Sequence, residues 1–401
     1  MQLNKEILAF FSLVLVMLTQ SFASAQGFDP GSYGSFEVAS DEYDFGDLAF
    51  TPTDTDFEPV EVRASVHYPT SGAGPFPLVL FLHGQHNFCF EDGQPIGQWP
   101  CSPFQEIPSY RGYDYLAELL ASHGYIAVSI SANGLNAQLG STSSSFDAGM
   151  LARASLIQHH LGLWRGFHES GGYPFGDRFV GHVDLGHIGL VGHSAGGEAA
   201  MQTYFLNEPA TSGVDIGALL LLAPSHINLV DSVNGEPLHI HDVPLGLLTA
   251  YCDGDQADLK WLRIFDNARY SLPGDVAPKH IMLLLGANHN FFNTIWTPET
   301  RNPRWPLGSS DDWVESTRVA NAAADPFCGT VDSTPTGALL PTRLTDAEQR
   351  AAAGAYVSAF FRVYLGGEFE FLPMLVGDAP PPLSATIDAG DVLLTSHAID
   401  N

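Results

Sequence analysis

Basic residues are scarce in this chain: 16 Lys and Arg stand against 45 Asp and Glu, a formal net charge of −29. A surface of that sign repels nucleic acid and anionic lipid, which excludes both as charge-held partners. Cysteine is scarce too, with Cys89, Cys101, Cys252 and Cys328 alone, and no pair has zinc-site spacing. Histidines cluster at His239-Ile240-His241-Asp242 and at His159-His160, but neither cluster brings a third ligand at a sensible spacing, so no metal is expected. After the first residues no apolar run approaches the roughly 20 residues a membrane-spanning helix needs. Internal repeats are missing, and so is any linker between two cores. The reading is one large α/β domain over residues 26–401.

What the chain does have begins at its amino end. Lys5, the apolar run Ile7 to Leu18, and Ala23-Ser24-Ala25 form the pattern of a cleavable signal peptide over residues 1–25. The mature chain is therefore expected to be secreted or periplasmic, without a membrane anchor. Export favours disulfides. Four cysteines allow three pairings; Cys89–Cys101 closes a short local loop and leaves Cys252–Cys328, with free thiols as the alternative.

Periodicity then gives the class. Val60 to His67 alternates as a strand, whereas Leu78-Val79-Leu80-Phe81-Leu82 is continuously apolar, as in a parallel strand covered on both faces. Tyr113–Ser122 reads as a helix and Tyr125–Ile130 as a strand. Asp147 can cap a helix reaching about Trp164. Strands follow at His187–Gly192, Ala218–Ala223, Leu245–Tyr251 and Ile281–Leu285, with a helix from Ala195 to about Asn207. Thr345 and Glu348 predict a capping box for a helix through Tyr364. Alternating strands and helices predict a doubly wound, mostly parallel sheet with helices on both faces. Residues 297–342 read as a long excursion over the active face, and 380–401 as an extended tail.

Chemistry enters at Gly192-His193-Ser194-Ala195-Gly196. This motif follows a buried strand and opens a helix, the context in which a serine hydroxyl is pushed out at a sharp turn. A serine is a poor nucleophile without a base. In this arrangement an acid and then a histidine follow the serine in the chain. Among His280, His289 and His397, only His289 stands just past a strand, at the carboxyl edge where ligands bind in open sheets. The acid should follow Leu245–Tyr251, in Cys252-Asp253-Gly254-Asp255. Asp255 is favoured because the preceding turn gives its carboxylate room to reach back; Asp253 stays open as the alternative. Two N–H donors are needed for an oxyanion: Ala195, after the nucleophile, and Gln85, which Gly84 lets turn inward. His83 reads as an anchor of that loop. His86 and Phe88, with His193, Phe291, Trp296 and also Trp99 and Phe292, are candidates for the substrate wall or for packing around it.

His83-Gly84-Gln85, the Ser194 motif, the loop at Asp255 and the turn at His289 together resemble the α/β-hydrolase superfamily. Gly74-Pro75-Phe76-Pro77 leading into Leu78–Gly84 is similar to the approach to the oxyanion loop in two of its branches. These are the secreted polyester hydrolases (cutinase-like and PET-hydrolase-like) and the platelet-activating-factor acetylhydrolases. The resemblance spans about Val60 to Leu365. It implies hydrolysis of small or polymeric carboxylic esters through an acyl-serine, with no cofactor. A peptidase or amidase on the same scaffold is the second reading, and a catalytically silent fold used for binding is the third.

Overall fold

A computed structural model describes residues 29–139, 149–225, 238–270, 272–297, 311–315, 325–329 and 343–398. The expected signal segment, the capping residue Asp147 and most of 297–342 lie outside the described residues. Among the described residues there are twelve strands: β1 (Val38–Asp44), β2 (Arg63–Pro69), β3 (Phe76–Leu82), β4 (Cys89–Glu91), β5 (Gln94–Ile96), β6 (Gln105–Glu106), β7 (Ile126–Ile130), β8 (Val183–His193), β9 (Ile216–Leu222), β10 (Leu245–Ala250), β11 (Lys279–Leu284) and β12 (Val392–His397). Nine of them form one sheet in the order β1-β2-β7-β3-β8-β9-β10-β11-β12. From β7 to β11 every pairing is parallel. β1, β2 and β12 run antiparallel at the two edges. β4, β5 and β6 make a separate small sheet.

The apolar run of β3 shows why this sheet is covered twice. Leu78, Leu80 and Leu82 enter one core with Ile157, Trp164 and Met201. Val79 and Phe81 enter the other, with Leu116, Leu120, Phe360 and Phe361. Side chains alternate across a strand, so an unbroken apolar run needs an apolar layer on each side. Helices α1 (Asp114–Ser122) and α6 (Asp346–Tyr364) supply one layer. Helices α3 (Met150–Ser170) and α4 (Ala195–Leu206) supply the other. Between them in sequence lie α2 (Asn133–Gln138) and, later, α5 (Leu262–Tyr270). The Thr345–Glu348 capping box starts α6.

Several boundaries differ from those the sequence suggests. β2 begins at Arg63 rather than Val60, because Val60 instead bridges Phe50. α3 runs six residues beyond Trp164, to Ser170, and Gly171 ends it at φ 71°. The Gly- and Asp-rich stretch after residue 31 contains β1, which gains its strand character from pairing with β2. The expected extended tail returns as β12 along β11. Two disulfides are formed, Cys89–Cys101 and Cys252–Cys328. Among the described residues no helix is long and apolar enough to cross a membrane, and no group of His, Cys, Asp or Glu could hold a metal ion.

Candidate active site

The chain leaves β3 toward β7 on one side and later returns to β8 on the other. Such a reversal opens a crevice at the carboxyl ends of the central strands. The loops after β3 and β8 carry His83-Gly84-Gln85 and Ser194 to that crevice.

Ser194 stands between β8 and α4 at φ 56° and ψ −124°, a strained backbone for a residue with a Cβ. Three backbone bonds fix it. Its N–H donates to the Leu222 carbonyl at 3.0 Å, and its carbonyl accepts from Gly197 at 2.9 Å and Ser225 at 3.1 Å. A side chain at Gly196 would run into the carbonyl of Leu82, so α4 can pack against the end of β3 only with glycine there. A Cβ on Gly84 would stand 2.5 Å from Ser194 Cβ and 3.1 Å from its Oγ. The backbone of the β3 loop thus lies directly beside the hydroxyl.

That loop is clamped from behind. The Ala132 N–H donates to His83 Nε2 at 2.9 Å, so the ring proton is on Nδ1, which donates to the Gly84 carbonyl at 2.9 Å. Burial keeps His83 neutral, lowering its pKa to about 3. Asn136 Nδ2 donates to the same carbonyl at 3.3 Å, and the buried Arg153 donates to Asn136 Oδ1. Because the Gly84–Gln85 peptide is trans and planar, holding its oxygen on one side directs the Gln85 N–H to the other. Ala195 opens α4, where first-turn amides have no partner within the helix. Beneath the clamp, buried Glu61 accepts from Ser131 Oγ and the Asn133 N–H, both at 2.6 Å, and from the Gly134 N–H at 2.9 Å.

His289 follows β11 and is buried. Gln349 of α6 holds the preceding residue twice, accepting from the Asn288 N–H at 2.9 Å and donating to its carbonyl at 2.8 Å. His193 reaches over from the serine motif. Its Nε2 donates to the His289 carbonyl at 2.9 Å, its Nδ1 accepts from Tyr113 Oη at 2.8 Å, and the two imidazoles lie 5.1 Å apart. Burial, and then the neighbouring His289, push His193 well below its ordinary pKa, which suits this neutral structural role.

The carboxylate on the imidazole is Asp253, and this corrects the preference for Asp255. Asp253 Oδ2 lies 2.8 Å from His289 Nδ1, and its side chain is fully buried. Asp255 lies 3.7 Å from Nε2, the other ring nitrogen, with its side chain 61 % exposed. The cause is local. Asp253 Oδ1 accepts from the N–H groups of Asp255, at 2.9 Å, and Gln256, at 2.6 Å. This Asx turn needs no return of the chain: it fixes the first carboxylate inward and swings the second outward. Burial alone would lower the His289 pKa. The charge and hydrogen bond of Asp253, with smaller contributions from Asp255 and Asp312, outweigh it and raise the value to about 9.

For three of the wall candidates the structure takes the packing alternative. His193, Phe291 and Trp296 are at most 1 % exposed, so they have no surface to offer a substrate. Trp296 stacks on His86 at 4.8 Å, and its Nε1 donates to Ser109 Oγ at 3.0 Å. Phe292 belongs to the core. His86 and Phe88 are partly exposed, and Gln85 is exposed. Trp99 packs edge-on against Phe88. His280 and His397 lie at the opposite end of the sheet, on β11 and β12. His241 pairs with Asp242 on the surface.

Asn136, Arg153, Glu61 and Asp312 were not singled out from the sequence. The polar run Ser131-Ala132-Asn133-Gly134-Leu135-Asn136, directly after a buried strand, was an available sign for the first of them. Nothing in the sequence around Asp312 distinguishes it from its acidic neighbours. No protein-family model matches the chain, and neither does any curated protein sequence.

Proposed function

We propose that this chain is an exported serine hydrolase of the α/β-hydrolase fold that cleaves carboxylic esters through an acyl-serine intermediate. The observation that carries the reading is the buried Asp253–His289 pair held against the serine motif by His193. A strained serine, a histidine with an oriented tautomer and a loop backbone laid beside the hydroxyl are parts acyl transfer requires.

In the proposed reaction, neutral His289 takes the Ser194 proton at Nε2 as Oγ attacks the ester carbonyl. Asp253 holds Nδ1–H and stabilises the imidazolium that forms. The Gln85 and Ala195 N–H groups receive the negative charge on the carbonyl oxygen, helped by the positive end of α4. The imidazolium then protonates the departing alcohol. Water, deprotonated by His289, attacks the acyl-serine; the acyl–Oγ bond breaks, the acid leaves, and the Ser194 oxygen takes the proton back from His289. No step calls for a cofactor. The substrate is a small or polymeric ester, and export accords with the two disulfides.

The test is labelling by a fluorophosphonate together with turnover of p-nitrophenyl esters of rising chain length. Labelling and turnover that both disappear in Ser194→Ala support the reading; an unlabelled wild-type protein returns the chain to a binding role. Matched ester and amide substrates decide between esterase and amidase.

A further inference from the structure

One buried carboxylate beside the imidazole has no part in that reaction. Asp312 opens the short turn Asp312–Glu315, within the excursion that follows β11. Its Oδ1 accepts from the His289 N–H at 2.8 Å, and its Oδ2 accepts from the Gly254 N–H. His289 is the candidate base, and Gly254 directly follows the candidate acid. The two oxygens of one side chain therefore span the two turns that must meet. A Cβ on Gly254 would stand 2.8 Å from Asp312 Oδ2 and would overlap the Asp312 carbonyl. The glycine in Asp253-Gly254-Asp255 is what admits this approach.

The segment bearing Asp312 is anchored on both sides. Asp311 pairs with Arg343, just before α6. Trp313 packs against the Cys252–Cys328 bridge. The backbone ties the two loops further back, where the Cys252 N–H donates to the Ala287 carbonyl at 2.9 Å. Asp312 supplies the tie at the level of the reacting side chains. Burial, and then the charge of Asp253, push its carboxyl well above the ordinary range. A carboxyl is thus an expensive choice for packing alone.

We propose that Asp312 is a positioning residue, bracketing the acid loop and the base turn so that Asp253 Oδ2 meets His289 Nδ1. The inference rests on the serine-hydrolase reading for its kinetic consequence, but its geometric consequence stands apart. Together with the His193 bond to the His289 carbonyl, the bracket fixes both backbone polar groups of the base. An amide at position 312 has one accepting oxygen and would turn an N–H toward one of the two donors. Asp312→Asn therefore keeps half of the bracket, and Asp312→Ala keeps none.

The experiment measures kcat and KM per phosphonate-titrated active site for wild type, Asp312→Asn and Asp312→Ala. It also follows the downfield NMR resonance of the His289 Nδ1 proton. In Asp312→Ala the expected loss is roughly 10²-fold in per-site kcat with KM little changed, as for a misplaced catalytic group. Asp312→Asn should lose less, and the resonance should shift or broaden in both. A soluble Asp312→Ala protein with unaltered per-site kcat and an unmoved resonance overturns the proposal. If that variant does not fold, Asp312→Asn and Gly254→Ala replace it, and an unmoved resonance in both is equally fatal. Wild-type protein that takes no phosphonate refutes the Ser194 reading instead, while the resonance comparison still decides the bracket.

Discussion

Between β3 and β8 the site is made of backbone laid against backbone. Gly196 passes under the Leu82 carbonyl, Gly84 lies on Ser194, and the Ser194 carbonyl is held by two amides. Between β10 and β11 it is made of side chains that arrive from elsewhere. Gln349 comes from α6, Asp312 from the excursion, and Cys328 is linked 76 residues beyond its partner Cys252. The first construction needs glycine at fixed short spacings and leaves a motif in the sequence. The second needs only a few polar residues in the right places after folding, and it leaves none. The turn that holds the hydroxyl is therefore local, with the Asn136–Arg153 clamp only behind its neighbouring loop, while the half that holds the candidate proton acceptor depends on distant segments.

Substitutions can break this contrast, and the largest effect should be at the Ser194 turn. If the proposed reaction holds, Ser194→Ala lowers ester turnover by roughly 10⁶-fold, since a nucleophile, base and acid act as a unit, with circular dichroism unchanged. A retained rate would remove the local half from the chemistry altogether. Asp253→Asn should cost about 10⁴-fold in kcat through the wrong imidazole tautomer. Asp255→Asn, at an exposed carboxylate on the other ring nitrogen, should leave turnover of a neutral ester within a few-fold, by about the measure of an exposed pair. The reverse ranking in parallel kinetics would restore Asp255 as the acid.

The disulfides set the same contrast in stability. Cys252–Cys328 closes a loop of 76 residues and Cys89–Cys101 one of 12. In the chain-entropy account their removal by paired alanine substitution should cost about 4 and about 3 kcal/mol, respectively. Urea unfolding checks the order. Loss of ester turnover alongside stability is expected only for the Cys252–Cys328 pair, which borders the candidate acid Asp253.

The smallest effect, and the one that sharpens the comparison most, is in pH. The proposed reaction needs neutral His289, whose pKa is raised to about 9, so kcat/KM should rise with pH toward that value. Asp253→Asn should bring the residual limb back toward the ordinary histidine range. Stability runs the other way. A folded pKa above the unfolded one means that the ion pair contributes fully below about pH 6.5 and is lost as pH climbs through about 9. Thermal melts of wild type against Asp253→Asn over that window should converge at the alkaline end.

Much of the architecture was legible because the signals were local. The run Leu78–Leu82 announced a strand covered twice, Thr345 and Glu348 announced the start of α6, and Gly-x-Ser-x-Gly between a strand and a helix announced the sharp turn at Ser194. The edge strands were not legible: Val38–Asp44 is mostly polar, and Val392–His397 lies in a tail with little periodicity. Each is a strand because a neighbour offers it a ladder of hydrogen bonds. For the aromatic residues the sequence left wall and packing open, for a related reason. Phe291 and Trp296 stand beside the candidate base in sequence, yet turn inward to pack.

The sequence by itself determined the central strands, the strained serine and the histidine one loop past the last parallel strand. Those depend on apolar periodicity, steric room at glycine and chain order, all of which are properties of short segments. Only the tertiary structure decided which aspartate faces the imidazole, which aromatic rings reach solvent, and that Asp312 joins two turns it is far from in the chain. A hydrogen bond is directional over about 3 Å, and chain position two residues apart in an acid loop says nothing of direction until the loop has closed on its own amides.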